Sequence, residues 1–171
     1  MSQEQEQLQE SIEPTKEELD RLIRNHVLGS MGFGLVPIPI VDFIGVTSVQ
    51  LNLLRKLALA YNTPFSRDRG KSLIAALVGG GMTVPVGFGL ASLLKAVPVI
   101  GATTGAIALP ATAGGMTYAV GKVFSQHFSS GGTMLNFNPE QVKEYYREMF
   151  QEGKSYSEKL QPAKAKAKAK S

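Results

Sequence analysis

Phe65-Ser66-Arg67-Asp68-Arg69-Gly70-Lys71-Ser72 ends in the Gly-Lys-Ser of a phosphate-binding loop, in which backbone amides and a lysine cradle a nucleotide's phosphates. Such a loop needs a glycine where Phe65 stands and a strand ahead of it. A helical pattern precedes this one, so a basic helix start is the better reading. Asp42 stands between proline-rich and apolar stretches; it fits a helix N-cap, a first-turn acid favoured by the helix dipole, or a buried acid partnered by Arg55, Lys95 or another chain. Gln50 and Asn52 fall in an apolar helical pattern, where they would hydrogen-bond across an interface or face solvent. His26 and His127 are far from each other and from other ligand types, and they form no nucleophile, base and acid grouping with Asp42 or Asp68. With no cysteine there is neither a thiolate nucleophile nor a cysteine-based metal site. These residue types predict no enzyme, no cofactor and no metal.

Charge is segregated along the chain. Residues 1–30 carry seven acids and three bases, residues 31–151 five acids and nine bases, and residues 152–171 two acids and six bases. Met1 to Glu13 is polar and acidic and is expected to be disordered. Thr15 and Glu18 have the spacing of a capping box, and Leu19, Leu22, Ile23, His26 and Val27 recur at three and four residues, which predicts an amphipathic helix ending near Gly29–Gly34. Pro37 and Pro39 enforce an extended entry into a second helix over about Phe43–Tyr61, apolar on most of its circumference. Ser66 caps a third helix. Asn138, Pro139 and Gln141 predict a further start, followed by a sticky face of Val142, Tyr145, Tyr146, Met149 and Phe150 on a docking helix of about thirteen residues. Beyond Gly153 the chain reads as a flexible tail ending in alternating alanine and lysine.

From Ser72 to Gly121 the chain holds one formal charge, Lys95, and no Asp, Glu, His or Cys. The charge divides the run into two apolar stretches that each reach the roughly 20 residues needed to span a bilayer. Arg67, Arg69 and Lys71 on one side and Lys122 on the other would place both ends, and both termini, on the cytoplasmic side. Gly101 and Gly105 form a small-xxx-small pair, and Gly81, Gly87 and Gly89 also permit close helix approach. Dilution by Gly, Ala, Ser and Thr, together with Pro85 and Pro110, leaves a buried helix pair as the rival to a membrane hairpin. The expected fold is all-α: a helical bundle over residues 14–151 containing a Gly-rich apolar hairpin at 72–121, membrane-inserted in the leading version, between an acidic start (1–13) and a Lys/Ala-rich basic tail (152–171). The tail would draw the chain toward anionic lipid, about 1 kcal/mol for each lysine held at the surface, or would simply aid solubility. Nucleic acid is disfavoured, because no aromatics interleave the lysines.

Pro37-Ile38-Pro39-Ile40-Val41-Asp42, followed by Thr47, Gln50, Leu51, Leu54 and Tyr61, and later Val97-Pro98-Val99-Ile100-Gly101 and Ala113-x-x-x-Thr117-Tyr118-Ala119-x-Gly121, resemble the GTPase-associated domain of unknown function 697, related to the YcjF-like membrane proteins. The likeness runs from about Arg24 to Phe128. It implies helices, membrane association and a GTPase neighbour, and it implies no activity. On this resemblance Asp42, Thr47, Gln50, Tyr61, Thr117 and Tyr118 are the candidate interaction residues. The expected function is a non-enzymatic, membrane-associated helical adaptor or anchor working with a separate small GTPase. Alternatives are a soluble helical interaction or regulatory module, and an oligomeric small pore with Thr103, Thr104, Thr112 and Thr117 along its path. The expected partners are a lipid bilayer or anionic membrane surface, a GTPase protein and further copies of the chain.

Overall fold

Thr15 and Glu18 close the predicted capping box: the Glu18 amide donates to Thr15 Oγ1 at 3.3 Å and the Thr15 amide to Glu18 Oε2 at 3.0 Å. The computed structural model describes residues 13–35, 39–81 and 102–162, with the backbone alone for 39–43, 81 and 102–108. Its helices are α1 (Lys16–Phe33), α2 (Pro39–Ala60), α3 (Arg67–Gly81), α4 (Ala102–Ser129) and α5 (Lys143–Leu160), with no strand among the described residues. The all-α bundle therefore stands. The expected acidic start up to residue 12, the residues 82–101 that would have turned the hairpin, and the final alanine-lysine run lie outside the described residues.

Helix α4 is the axis of the bundle and touches all four other helices. Ile23 and Val27 of α1, Leu53, Leu54 and Leu57 of α2, Ile74 and Leu77 of α3, Val120, Val123 and Phe124 of α4, and Tyr146 of α5 form one core. Helices α1 and α4 run antiparallel: a side chain at Gly121 would meet Ile23, and one at Gly34 would meet the backbone of Pro110 at 2.9 Å. On the other side α5 lies antiparallel to α4. Gly153 sits against Tyr118, Gly115 against the backbone of Phe150 and Lys154, and Gly114 against Ser157. Helices without side chains at the crossing approach until backbone meets backbone, and here that contact serves α4 and α5.

The membrane-inserted hairpin is corrected by this arrangement. None of the described helices is long and apolar enough to cross a membrane. In α4 the Gly, Ala and Thr residues that fill the run lower its hydropathy, and from Pro110 to Phe124 most of them are buried against neighbouring helices. Helices α3 and α4 do not pair closely as a hairpin would; α4 lies chiefly against α5 and α1, and α3 chiefly against α2 and α5. Of the threonines expected along a pore, Thr117 is fully enclosed in the bundle.

Two helix ends also differ from expectation. Helix α2 begins at Pro39, before the expected start at Phe43, so Asp42 is its fourth residue, the first-turn acid of the two helix-start readings and not the N-cap. Proline at the first helical position sacrifices an amide that would be unbonded anyway, and its fixed φ starts the turn. Helix α5 begins at Lys143, five residues after Asn138, whose Oδ1 instead accepts from the Glu140 amide at 3.1 Å in a turn. It then continues past Gly153 to Leu160, because its inward positions there, Gly153 and Ser157, are small residues that carry almost no hydrophobic signal and yet are buried.

Two glycine substitutions should separate contact from flexibility. Gly153→Ala would push a methyl to 2.6 Å from Tyr118 Cβ and should destabilise the fold by about 1–3 kcal/mol. Gly79→Ala, in α3 with nothing within 4 Å of the new carbon, should stabilise it by roughly 0.5–1 kcal/mol. Urea unfolding of both variants measures the pair of signs.

Candidate functional site

The interface of α1, α2 and α4 is apolar except at one level, where each helix contributes one polar side chain. Ser30 lies seven residues after Ile23 and so on the same inward face of α1; Gln50 is enclosed by α2's broad apolar surface; Thr117 is one turn before Gly121 on α4. Ser30 Oγ and Thr117 Oγ1 are 2.6 Å apart, and Gln50 Nε2 donates to Thr117 Oγ1 at 3.4 Å. All three residues are almost wholly buried. A hydroxyl can both donate and accept, so Thr117 can receive from the Gln50 amide while sharing a proton with Ser30.

A second polar link joins α1 to α2 nearer the other end. His26 lies 3.1 Å, through Nε2, from Asn52 Nδ2, and 2.7 Å, through Nδ1, from the Leu22 carbonyl. The tautomer that satisfies both contacts is neutral, donating from Nδ1 and accepting at Nε2. Burial holds the His26 pKa below its ordinary value, opposed by the bond to the Leu22 carbonyl and assisted by the nearby Lys56 cation. A third link fastens α4 to α5: Tyr118 donates its phenol proton to Glu152 at 2.6 Å while its ring stacks obliquely on Tyr156 at 5.5 Å. Burial, then the hydrogen bond and charge of Glu152, push the Tyr118 pKa up. Lys122 sits 5.4 Å over the same ring and pairs with Asp20 at 2.9 Å, tying α1 to this cluster.

Of the candidate interaction residues, Gln50 and Thr117 meet directly in the core. Tyr61 is half-buried and its hydroxyl lies 3.2 Å from Ser125 Oγ, joining α2 to α4. Tyr118 is buried against α5, Thr47 is partly exposed on α2, and Asp42 falls in the first turn of α2, where only the backbone is described. The structure brings Gln50 and Thr117 together and keeps Tyr61 and Tyr118 on separate interfaces. Ser30 and Glu152 were not foreseen; the seven-residue step from Ile23 to Ser30 was the available signal for the first. The phosphate-loop ending falls within α3, with Gly70 buried against Leu51, leaving no free loop to wrap an anion. Among the described residues no group of three or more acids or histidines could hold a metal ion. What this arrangement does chemically is hold helices in register, with its polar atoms turned toward one another.

Two expectations follow. Thr117→Val strips Ser30 and Gln50 of their shared partner and should cost about 1–3 kcal/mol, whereas Tyr146→Phe, which deletes a fully buried hydroxyl with no partner among the described residues, should cost nothing or stabilise; chemical denaturation measures both. Because the folded His26 pKa lies below the unfolded 6.5, its contribution is complete above pH 6.5 and is lost as pH falls through the folded pKa. His26→Gln should flatten that part of the stability profile.

A curated relative, described as "Magnetosome membrane protein 22" of Magnetospirillum gryphiswaldense, is 35% identical over 149 residues, covering 86% of this chain and 76% of its own. No solved structure matches the chain. The pattern defining the family described as "Domain of unknown function (DUF697)" matches residues 3–155, a wider span than the motifs from Arg24 to Phe128 marked out. The chain thus belongs to the domain of unknown function 697 family.

Proposed function

We propose that this chain is a non-catalytic helical interaction module that associates with a membrane without crossing it. The observation that carries the reading is the inward engagement of its polar motif residues. Ser30, Gln50 and Thr117 satisfy one another in a closed core, and Tyr61 and Tyr118 bond to neighbouring helices, which is what a scaffold requires and what a reaction centre would have to leave open. The membrane part of the reading is supported by the relative whose description names a membrane protein. Since no described helix is long and apolar enough to cross, attachment at a surface is the form of association that fits.

A separate GTPase, implied by the family resemblance, is the proposed protein partner. Thr47, partly exposed on α2, and Asp42 near that helix's start are its proposed contacts. Co-elution of a purified candidate GTPase with this chain, stronger in one nucleotide state and reduced by Thr47→Arg, would support that partner.

Cell fractionation tests the membrane reading. The chain should sediment with membranes at neutral pH and low salt and be released by carbonate at high pH. Recovery wholly in the supernatant at neutral pH would contradict association, and resistance to carbonate would contradict attachment at the surface.

A further inference from the structure

Among the described residues, α1, α2 and α4 share one end almost devoid of charge. Residues 28–35 of α1 and the turn after it, and residues 109–121 of α4, carry none; residues 39–54 of α2 carry only Asp42. The close contacts place these segments together: Phe33 packs on Gly45, and Gly34 on the backbone of Leu109 and Pro110. Large apolar side chains remain uncovered there, with Leu35 67% and Ile44 61% exposed and Phe33 and Leu109 exposed beside them. Scattered exposed leucines are ordinary on a protein surface, but a grouping around one helix end is not.

The described chain leaves α5 toward this end. Ser157 of α5 lies against Gly114, so the turn that follows, which carries one acid and one base in Glu158 and Lys159, advances toward the level of Pro110. From there the sequence runs on through Lys164, Lys166, Lys168 and Lys170 with no acid among them. Apolar side chains that can enter the acyl boundary, in a chain whose sequence goes on to supply lysines for anionic headgroups, form the pairing that interfacial membrane binding needs. A protein groove would complement the leucines without calling for the lysines.

We infer that the α1–α2 and α4 end of the bundle, through Phe33, Leu35, Ile44 and Leu109, is the face that docks on an anionic bilayer surface, with the lysines after α5 supplying the attraction. This inference rests on the proposed surface association and assigns its orientation. Sedimentation of the full-length chain with phosphatidylcholine vesicles, with and without phosphatidylglycerol, tests it. The wild-type chain should bind the anionic vesicles in a salt-sensitive manner. Leu35→Glu with Ile44→Glu should weaken binding at least about tenfold, and Leu35→Ser, the milder change, should weaken it in the same direction. Replacing the four lysines from 164 to 170 by Gln should lower affinity by roughly fivefold for each lysine that reaches the surface and reduce the salt dependence. Leu59→Glu with Leu135→Glu, at the opposite end, should leave binding unchanged, and unaltered melting curves should accompany each variant. If the wild-type chain binds no vesicles, the surface-association reading itself falls. If it binds and the Leu35 and Ile44 variants bind equally well, that reading survives and the assigned orientation is wrong. Self-association lost in those variants, without vesicle binding, would overturn the lipid assignment in favour of a second copy of the chain.

Discussion

Helix α4 can serve as the axis of this bundle only because it lacks side chains where α5 and α1 press closest. A carbon added at Gly115 would fall 3.0 Å from the Lys154 amide nitrogen, and one at Gly121 would fall 2.9 Å from Ile23 Cγ1. Both contacts are tighter than ordinary van der Waals separation, so the helices stand as near as their backbones allow. Close approach recovers dispersion contacts that small residues could not otherwise make, since a gap of even half an ångström forfeits much of each one. The position of α5, the length of its helix and the level at which its last turn ends all follow from that seam.

Small apolar surfaces pack closely but define register poorly. In a seam of Gly, Ala and Val, a displacement by one turn would exchange like for like. The hydroxyl pair of Ser30 and Thr117, with the Gln50 amide, breaks that degeneracy because any shift leaves three buried polar groups without partners. The Tyr118 to Glu152 bond does the same for α4 against α5 from nearer the surface. In this chain the buried polar residues Ser30, Gln50 and Thr117 read as the set of pins that fixes a smooth-sided bundle.

The sequence disclosed these features unevenly, for physical reasons. The start of α1 was legible because a capping box is local: its two hydrogen bonds connect residues three apart. Gln50 and Thr117 could be picked out individually by polarity within apolar patterns, but their meeting depends on the packing of α2 along α4, which local spacing does not encode. The run from Ser72 to Gly121 was the chief difficulty. An uncharged helix rich in Gly and Ala has the same composition whether lipid or protein covers it, and only the placement of α5 and α1 over α4 settles which neighbour its small residues face. The end of α5 was obscured by the same ambiguity, since Gly153 and Ser157 signal a polar tail in sequence and form a packed face in the fold.

On the proposed reading, a bundle held in register by Ser30, Gln50 and Thr117 rests one charge-poor end on a membrane, with the lysine-rich sequence after α5 supplying the attraction. The chain has no tryptophan, which makes a single introduced indole an unambiguous reporter. The most direct measurement is the fluorescence of Leu35→Trp and, separately, Leu135→Trp on anionic vesicles containing lipids brominated at graded depths. The account predicts a blue shift and quenching by the shallow bromines for the indole at position 35, and an unchanged spectrum for the one at position 135. Equal responses at both ends, or strongest quenching at position 35 by bromines near the bilayer centre, would contradict it.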